Sequence, residues 1–166
     1  MADPMQDLIK YAFEDGVNMT RDFEGNGKQG RPFYAYDDSK GKRTVGYGSL
    51  VTDANRSILG EDVISGKTPI EPGLAGQLMT SDYRGAIEDA IKYAGSDNWA
   101  RMSANQQMRL ADMSYNLGLT KLSDFTDMRK GLDADDDAKV KAEMEDSDWF
   151  GQVGDRSKEH QAEWGA

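Results

Sequence analysis

The chain has 166 residues, with 20 Lys plus Arg against 30 Asp plus Glu and a formal charge of −10. That balance argues against affinity built on phosphate neutralisation or on anionic lipid, so no nucleic-acid partner is expected. With no Cys and one His, His160, thiol catalysis, zinc–thiolate sites, disulfide scaffolds, a Ser-His-Asp triad and a multi-His metal centre fall away.

The opening residues MADPMQDLIKYAFEDG carry acids where a signal peptide needs a basic start and an apolar stretch. Met5, Leu8, Ile9, Ala12 and Phe13 recur at the spacing of one helical face, which predicts an N-terminal helix over about 4–22, weakened near Gly16. The stretch 25–68 is punctuated by glycine and holds short alternating pieces, Phe33-Tyr34-Ala35-Tyr36 and Thr44-Val45-Gly46-Tyr47. It reads as a small β-sheet with tight turns. From Pro72 onward the pattern is helical. Ala75, Leu78, Met79, Ala86, Ile87, Ala90, Ile91 and Ala94 form a stripe that slips phase around Asp82.

Ser103 followed by Gln106 is a capping-box signature for a helix through Tyr115. Gly118 is expected to stop it. A shorter helix is predicted over Phe125 to Lys130. Another is expected to start near Asp133–Asp137, where acids suit the positive end of a helix dipole. The same run imitates the start of a calcium loop, but Ala138 and Met144 stand where such a loop needs Gly and Glu. The nine Met residues read as core filling. No run approaches the roughly 18 apolar residues of a membrane span, so stable membrane insertion is not expected. The fold class is α+β: one mostly helical, two-lobed domain over 1–166. Its small β lobe covers about 24–68, and its helical lobe covers about 72–166 plus the N-terminal helix.

Without Cys and with one remote His, chemistry must come from carboxylates, hydroxyls, Lys or metals. Glu24 ends a helical pattern before Gly25, and Asp37-Asp38 precede the turn Ser39-Lys40-Gly41. Thr44 opens the returning strand, which would set it facing Asp38 across the hairpin. Two acids on separate elements with a hydroxyl nearby suit acid-assisted attack by water. The same residues also read as ordinary cap, turn and bulge positions.

The run Tyr36-x-Asp38-x-x-Gly41-x-x-Thr44-x-Gly46-x-Gly48, preceded by Glu24-Gly25, resembles the active-site signature of the T4-type phage lysozymes, the endolysin muramidases. Tyr115-Asn116-Leu117-Gly118 with Phe125-Thr126 continues the likeness. So do Ser147-Asp148-Trp149-Phe150 and Gly154-Asp155-Arg156-Ser157-Lys158, and together these motifs cover nearly the whole chain. The resemblance implies Glu24 as general acid, Asp38 as the carboxylate that holds or activates water, and Thr44 as its helper. It implies Arg156 as the partner of the catalytic Glu, and Leu50, Tyr115 and Asn116 as saccharide-binding positions. Tyr115 reads equally as a core aromatic, and Arg156 as a surface cation.

The implied activity is hydrolysis of the β-1,4 bond between N-acetylmuramic acid and N-acetylglucosamine in peptidoglycan, with inversion and with no metal or organic cofactor. It would serve phage-mediated lysis or entry. The alternatives are a lytic transglycosylase using Glu24 alone, and a non-catalytic virion or wall-binding protein of the same fold. A monomer is expected, held in the host cytoplasm until a holin releases it to the wall, or carried in the virion. Three features depart from the family's pattern. Thirteen residues separate Glu24 from Asp38, a longer loop than usual, which leaves Asp37 as a rival for Asp38. Ser49 stands where the family often has His, so an ion pair there is absent. The net charge is acidic, whereas many lysozymes are basic.

Overall fold

The computed structural model describes Ile9–Lys10, which are helical, and residues 33–146. The expected helix over 4–22 therefore lies largely outside the described residues, and the motifs from Ser147 onward lie wholly outside them. The chain divides into two compact units, Met1–Tyr83 and Arg84–Ala166.

The first unit contains a three-stranded antiparallel sheet in the order β1 (Tyr36–Asp37), β2 (Arg43–Val45), β3 (Ser49–Leu50). Thr44 and Val45 are β-branched and almost fully buried on the central strand, which is where such side chains pack best. The β2–β3 turn depends on Gly46. Its φ is +57°, and a Cβ built there would lie 2.9 Å from the Cβ of Ala75. Any side chain would be both strained and crowded.

The chain then departs from the sheet that was expected to continue to residue 68. Short helices α1 (Arg56–Leu59) and α2 (Glu61–Ile64) stand there instead. The physical reason is local. The Asn55 side chain accepts from Thr52 N–H and donates to Leu50 O, both at 2.8 Å. Those bonds curl the chain away from β3 before another strand can pair. Val45, Leu59, Ile64, Ile70 and Ala75 form the buried core here, with Phe33 and Tyr47 packed against it. Those two rings meet edge to face at 5.0 Å. Ile70 N–H donates to Phe33 O at 2.9 Å, closing the unit across its sequence.

Helix α3 (Pro72–Ala94) follows as predicted. Pro72 opens it at a position that needs no N–H partner. Ala75, Met79, Ala86, Ile87, Ala90 and Ala94 from the predicted stripe are all buried.

In the second unit, α4 (Ser96–Arg101), α5 (Ala104–Ser123), α6 (Thr126–Asp133) and α7 (Asp137–Glu145) follow in order. Ser103 and Gln106 form the expected reciprocal capping box. Gly118 breaks α5 with φ 73° and ψ 163°, where the sequence placed its stop. Asp136 caps α7 by accepting from Lys139 N–H at 3.0 Å. Leu110, Met113, Leu122, Met128, Val140 and Met144 are each no more than 1% exposed and fill one core, so these three Met are packing residues. Among the described residues no cluster could hold a metal ion, and no helix is long and apolar enough to cross a membrane.

Candidate active site

Asp38 lies one residue past β1, where the hairpin begins to turn. Its N–H donates to Lys42 O, and Gly41 N–H donates to Asp38 O, both at 2.9 Å. Its Oδ1 accepts from the N–H groups of Lys40 and Lys42, both at 2.8 Å. Hydrogen bonding to the charged form favours ionisation. The Lys42 amide above all holds the carboxyl below its ordinary value; desolvation opposes it, and the Lys40 amide and the two ammonium groups add to the lowering. Asp38 is therefore a carboxylate at neutral pH, suited to accept a proton rather than to donate one.

The register corrects one expectation. Thr44 pairs with Tyr36, not with Asp38. Asp38 sits opposite Lys42, so Thr44 is its diagonal neighbour, two positions along the same face. Thr44 is 2% exposed, and its hydroxyl donates to Lys42 O at 3.0 Å. The oxygen lone pairs are what remain for another partner. Leu50 lies directly across from Thr44 on β3 and is 40% exposed. One small sheet thus gathers Asp38, Thr44 and Leu50.

Asp37 faces the other way. It pairs with Arg43 in the ladder and also by a 3.2 Å ion pair. Arg43 in turn donates through Nε to Ile64 O at 2.7 Å, tying the strand to α2. The two neighbouring acids thus take different partners, Asp37 the Arg43 guanidinium and Asp38 the amides of its own turn.

Ser49, the residue in place of the family's His, donates its hydroxyl to Asp82 Oδ2 on α3 at 2.7 Å. A hydrogen bond from an uncharged hydroxyl stands where the resemblance implies an ion pair. Partial burial pushes the Asp82 carboxyl up, and the Ser49 bond pulls it back. The phase slip seen in the sequence at Asp82 marks this contact.

Tyr115 and Asn116 lie on α5 in the second unit, both partly buried. Asn116 Nδ2 donates to Asp112 O at 3.2 Å. Glu24 and Arg156 lie outside the described residues. The sequence did not reveal the clasp of backbone amides on Asp38. Its signal is the Asp-x-x-Gly spacing, a side chain that can bond its own turn followed by a residue free to take a left-handed φ.

A three-stranded antiparallel sheet with an ionised aspartate at its first turn, followed by a series of helices, is a mixed α+β arrangement of the lysozyme-like kind. A protein-family model described as phage lysozyme matches residues 26–159, and the chain belongs to that family. It is thus a phage-type glycosidase whose substrate is peptidoglycan. The match opens two residues after Glu24. A comparison with curated proteins finds no match.

Proposed function

We propose that this chain is a muramidase that hydrolyses the β-1,4 bond between N-acetylmuramic acid and N-acetylglucosamine with inversion. The observation that carries the reading is the Asp38 carboxylate, anchored by two backbone amides of its own hairpin inside a chain of the phage lysozyme family. An inverting hydrolase needs one protonated carboxyl on the glycosidic oxygen and one carboxylate that draws a proton from water on the opposite sugar face. Asp38 takes the second role. Thr44 helps hold the water through its lone pairs. Glu24 takes the first role, and Arg156 is its partner. Leu50, Tyr115 and Asn116 bind saccharide.

The water-holding pair favours hydrolysis over transglycosylation, because a transglycosylase closes the ring on the sugar's own hydroxyl and has no use for a bound water. The enzyme acts as a monomer, released to the wall by a holin or delivered with the virion.

Digestion of purified peptidoglycan by wild type, Glu24→Gln and Asp38→Asn tests the reading, with mass analysis of the products. Each variant is expected to lose roughly a hundredfold or more in rate. The wild-type products should be reducing sugars. Anhydro-muramic ends, or an Asp38→Asn variant at full activity, would refute the hydrolytic assignment.

A further inference from the structure

The bonds around Asp38 are unequal in a way that bears on the reaction. Both turn amides, from Lys40 and Lys42, converge on Oδ1. Oδ2 takes no part in the turn's bonds. For two amides separated by one residue to reach the same oxygen, the chain must reverse between them. The residue between them is Gly41, with φ +72°. A Cβ built on Gly41 would meet nothing within 4 Å. Glycine is therefore required here by backbone conformation and not by crowding, in contrast to Gly46.

We infer that Gly41 is a positioning residue for the reaction: its left-handed backbone aims the Lys40 and Lys42 amides at one oxygen of Asp38 and so fixes the other oxygen on the attacking water. This rests on the base role proposed for Asp38. The argument is one of preorganisation. A carboxylate on two single bonds swings freely, and a base that must meet water and sugar in line loses rate steeply when misplaced by about 1 Å. Anchoring one oxygen with two charge-assisted bonds removes that freedom. The anchor is made entirely of main chain, so only the turn's φ and ψ angles control it.

The test compares wild type, Gly41→Val, Gly41→Asn and Asp38→Asn in peptidoglycan digestion across substrate concentrations, each with a thermal melt. Valine is strongly disfavoured at positive φ, whereas Asn tolerates it. Gly41→Val is expected to lower the maximal rate roughly tenfold or more, with half-saturation unchanged. Loosening the amides should also move the acid limb of its pH profile upward, toward an ordinary carboxyl. Lys40 and Lys42 are the charged side chains acting on Asp38, and both remain in every variant. Gly41→Asn should recover most of the rate. Should valine prevent folding, Gly41→Ala carries the same comparison with less strain.

Gly41→Val at the wild-type rate, with Asp38→Asn inactive, overturns the positioning role alone. Equal losses in Gly41→Val and Gly41→Asn overturn it as well, because the effect would not follow backbone preference. Asp38→Asn at the wild-type rate overturns the base role and this inference with it.

Discussion

Gly46 lies against Ala75 so closely that a methyl group added to it would come within 2.9 Å of the Ala75 side chain. The contact joins the β2–β3 turn to the first turns of α3, and it holds at a left-handed φ of +57°. Position 46 is thus constrained twice, by shape and by backbone. Gly46→Ala is expected to cost about 2–4 kcal/mol, from overpacking plus positive-φ strain. Urea titration checks this as a fall in the unfolding midpoint. Gly41→Ala, where nothing crowds the added carbon, should cost only about 1 kcal/mol.

The Ser49–Asp82 bond gives a second test. Ser49→Ala removes a hydroxyl donor from a carboxylate that can still reach water, so the loss should be about 0.5–1 kcal/mol at neutral pH. Asp82 has a raised pKa, with burial as the main cause. Its ionisation therefore works against the fold above the ordinary carboxyl range and has no effect below it. Asp82→Asn should raise the melting temperature slightly at pH 7. That gain should vanish as the pH falls below the value for a free aspartate. The gain is small because the side chain remains open to solvent, which screens it.

Asp133 behaves in the opposite sense. Asn98 Nδ2 donates to its Oδ1 at 2.6 Å, and Arg129 Nε donates to the same oxygen at 3.0 Å. The Asn98 bond first, then Arg129, holds the carboxyl below its ordinary value. A depressed carboxyl supports the fold above its unfolded-state pKa, and the support disappears as the pH falls through the folded value. Asp133→Asn should therefore destabilise at pH 7 and do little in strong acid. Asn98 is itself buried and also donates to Ala94 O at 2.8 Å. Asn98→Ala should cost about 1–2 kcal/mol. Melts at pH 7 and in acid read both effects.

The net charge of −10 sets the response to salt. An acidic enzyme gains no long-range attraction to an anionic wall, so screening removes nothing useful. Digestion rates should stay level or rise as salt is added from low concentration. A steep fall would show a basic surface steering the encounter despite the overall charge.

What the sequence made legible was mostly local chemistry. Ser103 and Gln106 reach each other over three residues, so the capping box and the start of α5 could be read directly. Gly118 and the stripe from Ala75 to Ala94 were legible for the same reason, because helix period and helix breaking are short-range effects. The helices at 56–64 were not, because the turn by Asn55 that launches them competes with a strand pattern of similar length.

Register was the other gap. Asp38 and Thr44 looked opposed, but the ladder's pairing depends on which residue ends the turn, and a slip of one position changes every partner. The Ser49–Asp82 contact spans 33 residues. Only the phase slip in α3 hinted at it, since nothing local says where a distant strand will land.

The clasp on Asp38 is built of amide hydrogens, which every residue but proline supplies. The side chains at 40 and 42 are not what grips the carboxylate. A different side chain at either site leaves both amide bonds to the Asp38 carboxylate available. The grip on this acid is thus written in the path of the main chain, and the outward surface of the hairpin tip is free to vary around it.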